Sequence, residues 1–263
     1  MSEQERSPDL SIVIPAYNEE RRLARTLGRI RDFFADEWKH GGEVEILVVD
    51  DGSTDGTADV ARKWMRTMPC LRLLSNEGNR GKGYSVRHGM LAARGRVALF
   101  TDADLSAPIE ELEKLFAAIG EGNDVAIGSR AIDRTLIKVH QSRFREVAGM
   151  IFNAFVKLVT GLSFQDTQCG FKAFRRERSR IIFEQQRVER FGFDPEILFL
   201  ARRHGLRSVE VPVRWAHDEA TRVRVLRDSL QMFAELLYIR WNWLLGRYPK
   251  DSTASETAAD QAS

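Results

Sequence analysis

The stretch ALFTDADLSAP, residues 98–108, decides the fold. Ala98, Leu99, Phe100 and Thr101 suit a buried strand, and two carboxylates, Asp102 and Asp104, follow at once. Ser106-Ala107-Pro108 then carries the signature of a helix start, a capping hydroxyl followed by an early helical proline. A buried strand that leaves through a polar turn into a helix is half of a βαβ unit. The pattern recurs along the first 130 residues. Apolar runs suiting buried strands stand at 10–14, 44–49, 71–74, 97–101 and 125–127. Helical segments are expected from Asn18, the expected cap, to about 34, from Ser53-Thr54-Asp55 toward 65, after Gly83, and from Ser106. Strands alternating with helices predict crossover connections, a mostly parallel sheet and an α/β architecture.

Composition allows one large domain or two small ones with a sizeable core. The chain has 263 residues, 43% of them apolar, with 40 Lys plus Arg against 38 Asp plus Glu, a formal charge of +2. So even a balance argues against a general nucleic-acid binder while leaving room for a local basic patch. The two cysteines, Cys70 and Cys169, are too far apart for metal-ligand spacing and suggest no disulfide framework, as in a reducing cytosol. MSEQERSPDL is polar and acidic, unlike a signal peptide. Nowhere is there an apolar run of about 18 residues, so no helix is expected to span a bilayer.

In open α/β sheets ligands bind beyond the carboxyl ends of the strands. Four polar clusters fall there: Pro15-Ala16-Tyr17-Asn18-Glu19, Asp50-Asp51-Gly52-Ser53, Asn79-Arg80-Gly81-Lys82-Gly83 and Asp102-Ala103-Asp104. All four are expected on one rim. Residues i and i+2 of an extended chain point the same way, so Asp102 and Asp104 can present oxygens to one point. Hard cations such as Mg²⁺ or Mn²⁺ take carboxylate oxygens and share their coordination with substrate phosphates. An isolated Asp-x-Asp is as readily a capped turn; its place among three other polar strand ends favours the cation. Tyr17 offers a flat face to a nucleobase, Glu19 a further acceptor, and an aspartate of the Asp50-Asp51 pair an acceptor for a base N–H or ribose hydroxyl. GNRGKGYS, residues 78–85, lacks Walker spacing, because Gly78 lies only three residues before Gly81 and Lys82 precedes Gly83. Arg80 and Lys82 can still neutralise a diphosphate.

The second half reads differently. Residues 131–145, with Arg134, Lys138, His140, Arg143 and Arg145, suit a mobile basic loop leading into a helix. That helix, to about 160, places Val147, Ile151, Ala154 and Leu158 on one face. A turn and short strand are expected around 166–174, a helix at 193–204, a strand at 208–215, and a final helix at 225–246. This last helix is amphipathic, with Leu226, Leu230, Phe233, Leu237, Trp241 and Leu244 in one stripe. Four segments result: a polar segment 1–8, a ligand-binding half 9–130, a second half 131–248 with its two apolar-striped helices, and a disordered tail 249–263.

SIVIPAYNEE, ILVVDDGSTDGT, NRGKG and DADLS, in that order, resemble a family-two glycosyltransferase of GT-A fold, a Rossmann-like α/β/α sandwich with a mixed, mostly parallel sheet. DTQCGFKAF (166–174), FGFDPEILFLARRHG (191–205) and VPVRWAH (211–217) narrow the resemblance to the dolichyl-phosphate β-glucosyltransferases, over roughly residues 10–240. The resemblance implies an inverting enzyme that moves glucose from a nucleotide-sugar donor, UDP-glucose, to a polyprenyl phosphate acceptor. Pro15, Tyr17, Glu19, Asp50 and Asp51 would meet the nucleoside, Arg80 and Lys82 the diphosphate, and Asp102 and Asp104 the metal. Asp166 matches the acidic residue at the family's reaction centre and is assigned orientation or electrostatic balance. Two departures stand out: the N-terminal membrane anchor usual in eukaryotic members is not present in this sequence, and Ala220-Thr221-Arg222 replaces a Gly-Ser-Lys.

A lipid monophosphate is already anionic near neutral pH, so the acceptor side needs cations more than a general base. Arg130, Arg143, His217 and Arg222 supply them, with Arg145 and Arg224 nearby and Gln168 as a hydrogen-bonding contact. Aromatic residues interleaved with arginines on the final helix suit a membrane surface. A peripheral protein on the cytoplasmic face is expected; a homo-oligomer is left open. The rival readings are a mannosyl version using GDP-mannose, a soluble family-two enzyme with a hydroxyl acceptor, a nucleotide-sugar-binding module without catalysis, and a nucleotidyltransferase.

Overall fold

The computed structural model describes residues 8–139, 143–216 and 225–249, with the side chains of 143–146 and 225–229 left undescribed. The expectations for the N-terminal segment 1–7 and the tail 250–263 therefore lie outside the described residues.

Seven strands form the main sheet in the order β3-β2-β1-β4-β7-β5-β8. β1 (Leu10–Ala16), β2 (Val44–Asp50), β3 (Leu71–Ser75) and β4 (Val97–Thr101) run parallel. β5 (Val125–Ser129) pairs in parallel with β8 (Ser208–Pro212). Between β4 and β5 lies β7 (Phe171–Arg175), antiparallel to both. The fold is thus the mixed, mostly parallel α/β sandwich that the sequence predicts.

The period of two along each strand builds two cores. Leu10, Ile12, Ile14 and Leu99 face one layer with Leu23, Leu27 and Ile30 of α1 (Glu20–Asp36) and Leu112 and Leu115 of α4 (Leu112–Gly120). Val13, Leu47, Val49 and Phe100 face the other, with α3 (Lys82–Ala92), α6 (Arg176–Gln185) and α7 (Phe193–Arg203). Burying each such aliphatic side chain stabilises the fold by about 1.5–3 kcal/mol. α2 (Thr57–Met65) packs against α1 and β3.

The antiparallel strand has a positional consequence. Phe171 at the start of β7 lies opposite Thr101 at the end of β4. The turn 166–170 before β7 therefore sits at the rim where the parallel strands end.

Part of the expected basic loop is ordered differently. Residues Arg134–Leu136 form a 3₁₀ turn, and β6 (Ile137–Val139) pairs in parallel with β9 (Trp215–Ala216) as a separate two-stranded sheet. α5 (Arg143–Thr160) and α8 (Val225–Leu244) pack against each other. They bury Phe152 and Val156 on one side and Leu236 and Ile239 on the other. Most of the stripes read from the sequence lie on the opposite, outward faces: Ile151, Leu158, Leu237, Trp241 and Leu244 are each more than half exposed. Phe233 departs from its stripe and packs edge-on against Phe152 and Phe155 of α5, and the Leu226 side chain lies outside the described residues. Among the described residues no helix is long and apolar enough to cross a membrane.

Candidate active site

The acidic doublet leaves β4 where the sheet ends. Thr26 of α1 donates its hydroxyl to the Ala103 carbonyl at 2.5 Å and fixes the turn between the two aspartates. Asp104 accepts from the Ser106 N–H at 2.9 Å. Burial, then the neighbouring Asp102 charge, pushes the Asp104 carboxyl up from the usual range. Asp102 stays one-third exposed, and its Oδ1 lies 2.5 Å from the Lys82 ammonium.

Behind Asp102 stands Gly170. A Cβ there would lie 2.2 Å from Asp102 Oδ2 and 2.6 Å from Cγ. The turn 166–170 is thus the back wall of the acidic doublet, and only a glycine leaves the carboxylate room.

The same turn carries Asp166, which is buried and gripped on both oxygens. Arg130, just past β5, donates from Nε to Oδ2 at 2.7 Å and from a terminal nitrogen to Oδ1 at 2.9 Å; its backbone N–H adds a 3.0 Å bond. Glu210 on β8 accepts from the Gln165 and Asp166 N–H groups, both at 2.8 Å, and anchors the turn from beneath. Burial alone would raise the Asp166 pKa, but the Arg130 charge and its hydrogen bonds outweigh it and bring the carboxyl down to about 2. The Arg130 guanidinium shifts up, against its own burial, through Asp166. Ser129 Oγ, Thr167 Oγ1 and Gln168 Nε2, beside this pair in sequence, are buried without a hydrogen-bond partner in the described structure.

Under the doublet lies a second ion pair, between Lys172 of β7 and Asp194 of α7. The Lys172 side chain is fully buried and also donates to the Cys169 carbonyl at 2.6 Å, tying down the turn next to Gly170. Burial pushes the Asp194 carboxyl up, opposed by Lys172 and Lys82. Burial likewise pushes the Cys169 thiol up to about 12, so it stays protonated; the two cysteines are free thiols.

At the β1–β2 end of the rim, Asp51 spends its carboxylate on its own chain. Oδ1 accepts from Asn76 Nδ2 at 2.8 Å and the Arg80 N–H at 3.0 Å, and Oδ2 from the Gly81 N–H at 2.8 Å. Asp50 accepts from the Ser53 N–H at 3.2 Å. Gly52, at φ +69°, lies so close to Gly78 that a Cβ would stand 2.4 Å from its carbonyl carbon. These bonds clamp the 78–83 loop at the N-terminus of α3, whose first residue is Lys82. Arg80 itself turns away to Glu189, 2.8 Å distant, and stacks over Tyr84 at 4.3 Å.

Pro15, half-buried, is the penultimate residue of β1, Tyr17 is 38% exposed on the same rim, and Glu19 pairs with Arg22 at 3.3 Å. Asn18 is not the α1 cap. Its φ is +54°, its Oδ1 accepts from the Thr54 N–H at 2.7 Å, and Glu19 takes the cap position. The polar turn after β1 is thus stitched to the one after β2 rather than to its own helix. Arg143 opens α5, its side chain outside the described residues, as are His217 and Arg222. The structure therefore assembles Asp102, Asp104, Lys82, Asp166, Arg130 and Gln168 around the 166–170 turn, and places Tyr17, Glu19, Asp50 and Asp51 along the adjoining rim.

With this geometry in hand, comparison with known proteins places the chain. The profile of Glycosyl transferase family 2 matches residues 11–181. The chain belongs to that family and is a glycosyltransferase. Curated relatives narrow it further. The dolichyl-phosphate beta-glucosyltransferase of Drosophila melanogaster is 38% identical over 254 residues, covering 92% of this chain and 77% of the relative. Those of Saccharomyces cerevisiae and Homo sapiens are 37% and 34% identical, covering 91% and 93% of this chain and 76% and 78% of theirs. Within family two the chain thus belongs with the dolichyl-phosphate β-glucosyltransferases. Solved structures support the GT-A fold. Glucosyl-3-phosphoglycerate synthase from Mycobacterium tuberculosis, in complex with phosphoglyceric acid, superposes with a TM-score of 0.64 at 21% identity, over 93% of this chain and 82% of that one. A mannosyltransferase from Pyrobaculum calidifontis, in complex with GDP-Man and Mn²⁺, gives 0.56 at 19% identity, over 98% and 77%.

Proposed function

We propose that the chain moves glucose from UDP-glucose to a polyprenyl phosphate of the dolichyl type, with inversion, giving a β-linked lipid-phosphate sugar and UDP. The observation that carries this reading is the Asp102–Asp104 doublet at the end of β4, backed by Gly170 and faced by Lys82. Two hard carboxylate donors, one of them partly exposed and held in a cradle that a Cβ would fill, fit Mg²⁺ or Mn²⁺ with a diphosphate completing the coordination. Such a cation, held by Asp102 and Asp104, would supply Lewis-acid stabilisation of the leaving diphosphate. The Mn²⁺ in the Pyrobaculum neighbour supports the same choice.

The chain's own groups do the rest. Pro15, Tyr17, Glu19 and Asp50 line the nucleoside end of the rim. Asp51 holds the Arg80 and Gly81 amides so that α3 presents its N-terminus and Lys82 to the diphosphate, where backbone N–H groups and the helix dipole favour anions. Arg80 closes the loop through Glu189. Positive charge grows on the anomeric carbon as its bond to the diphosphate breaks, and Asp166, ionised at neutral pH, offsets it.

With both oxygens bonded to Arg130 and a pKa of about 2, Asp166 is a poor proton acceptor. That suits an acceptor that arrives as an anion and needs no base. Arg130 holds Asp166 while Arg143, His217 and Arg222 are the cations for the acceptor phosphate, and Gln168 brings an amide nitrogen without a partner among the described residues. The exposed apolar faces of α5 and α8 rest on the cytoplasmic leaflet as a peripheral contact, Trp241 and Tyr238 at headgroup depth, and bring the prenyl phosphate to the rim.

Turnover of UDP-glucose against GDP-mannose, with a short polyprenyl phosphate as acceptor, tests the reading. Lipid-phase product from UDP-glucose at a rate at least tenfold above GDP-mannose is expected. Preference for GDP-mannose would reassign the sugar, and water-soluble product alone would reassign the acceptor.

A further inference from the structure

Three cations meet four carboxylates around the doublet, and they are not equivalent. Arg130 is fixed to Asp166 by two side-chain hydrogen bonds, and Lys172 is fully buried between Asp194 and the Cys169 carbonyl. Lys82 is different. It is partly exposed, Asp102 is its one ion-pair partner among the described residues, and its ammonium ends a flexible four-carbon stem. Its backbone, by contrast, is anchored, because it opens α3 directly after Gly81, whose N–H is held by Asp51. The backbone is fixed, while the ammonium sits on a long, partly exposed stem with several rotatable bonds.

The charge balance gives the swing a purpose. With Lys82 in place the group of Asp102, Asp104, Asp166 and Asp194 against Lys82, Lys172 and Arg130 has one negative charge in excess. Moving the ammonium away leaves two, the charge that one divalent cation neutralises. Burial disfavours the charged ammonium, but Asp102, Asp194 and Asp104 outweigh it, so Lys82 remains a cation where it stands.

We propose that Lys82 is an exchangeable counter-ion: it neutralises Asp102 in the free protein and transfers to the donor's diphosphate when metal and nucleotide enter together. The inference rests on the metal-and-diphosphate reading above and adds a thermodynamic consequence to it. A metal ion arriving alone must displace the ammonium from Asp102 and leave it without its ion-pair partner. When a nucleotide diphosphate is present, the displaced ammonium gains a new partner. Metal and nucleotide therefore bind cooperatively, and by linkage each tightens the other by the same factor. Lys82 adds to whatever coupling the direct metal–phosphate bonds provide, and it holds the doublet against stray cations while no donor is bound.

The test is a titration of the full chain with Mn²⁺, alone and with saturating UDP, followed by the electron paramagnetic resonance of free Mn²⁺. Wild type, Lys82→Met and Lys82→Arg are compared, with thermal unfolding confirming that each folds; Lys82→Gln stands in if the Met variant does not. In Lys82→Met, Mn²⁺ alone is expected to bind at least about fivefold tighter than in wild type, while the tightening by UDP shrinks by a similar factor. Lys82→Arg, which keeps the charge, is expected to retain most of the wild-type coupling. Removing any nearby cation would strengthen Mn²⁺ binding by relieving charge repulsion, so the loss of coupling to UDP is the readout that a static lysine would not move. Equal or weaker Mn²⁺ binding by Lys82→Met in the absence of UDP, or an unchanged coupling factor, overturns the proposal while leaving the metal site intact. Failure of the wild type to bind Mn²⁺ even with UDP overturns the underlying reading as well.

Discussion

Gly170 and Asp102 are in such close register across the β4–β7 junction that one methyl group on Gly170 would fall 2.2 Å from the Asp102 carboxylate oxygen. The two residues are far apart in sequence, and the antiparallel insertion of β7 brings them together. The obstructed atoms are the far end of a rotatable side chain rather than backbone. Gly170→Ala is therefore expected to leave stability within about 1 kcal/mol of wild type, since the carboxylate can turn aside. Turnover is expected to fall about 100-fold, the usual consequence of misplacing a reacting-site group by an ångström. Parallel thermal melts and initial rates check it; equal activity would mean that the Asp102 rotamer is immaterial.

The Arg130–Asp166 pair predicts an acid-sensitive contribution to stability. The folded-state pKa of Asp166 is depressed to about 2. Its contribution is complete above the unfolded carboxyl value near 4 and disappears as pH falls toward 2, amounting to about 2 kcal/mol. Asp166→Asn is expected to flatten the stability profile across that interval. Removing Arg130 is expected to be more severe, about 3–5 kcal/mol at neutral pH, because it leaves a buried carboxylate uncompensated. Urea unfolding at pH 2.5, 4 and 7 separates the two effects.

The outward faces of α5 and α8 predict a separable membrane function. Leu237→Glu combined with Trp241→Glu changes two exposed positions and no core contact. Sedimentation with phospholipid vesicles is expected to drop at least fivefold. Rates with a detergent-dispersed short prenyl phosphate are expected to stay within about twofold. Undiminished vesicle binding would place the membrane contact elsewhere.

The segment after α8 is held by Tyr248, whose ring is buried and whose hydroxyl donates to Glu196 at 2.5 Å. Burial pushes the Glu196 carboxyl up to about 7, opposed by that hydroxyl and by the Val188 and Arg187 N–H groups. Above pH 8, where Glu196 is ionised, Tyr248→Phe is expected to cost about 1.5–3 kcal/mol, the range for hydrogen bonds to charged groups, and to raise the Glu196 pKa further. Calorimetric melting measures the cost.

The parallel half of the fold is legible in the sequence because strands buried on both faces carry continuous apolar runs, as in residues 46–49 of β2 and 97–100 of β4. Its four polar exits are legible for the same reason. β7 is legible as a strand, but its direction is not, since FKAFR carries no mark of running against its neighbours. α6 escapes notice because RERSRIIFEQ is mostly polar and buries only Ser179, Ile182 and Phe183. The stripes on α5 and α8 are legible as stripes, yet nothing in a stripe says whether it faces a core or the outside.

At the site, the doublet and Asp166 stand out by their position in short motifs. Asp51 also stands out, but two of its three partners, the Arg80 and Gly81 N–H groups, are backbone groups that leave no sequence trace. No motif joins Lys172 to Asp194. The signal for the pair lies in composition: a lysine inside the apolar strand FKAF and an aspartate inside FGFDPEILFL, each needing a buried partner.

The most direct test of the account is transfer of labelled glucose from UDP-glucose to a short polyprenyl phosphate, measured with Mn²⁺ or Mg²⁺ and again after EDTA. Label is expected in the lipid phase as a β-linked phosphate glucoside, to vanish on chelation and to return when the metal is restored, with Asp102→Asn silent throughout. Undiminished transfer in EDTA, or full activity of Asp102→Asn, would contradict it.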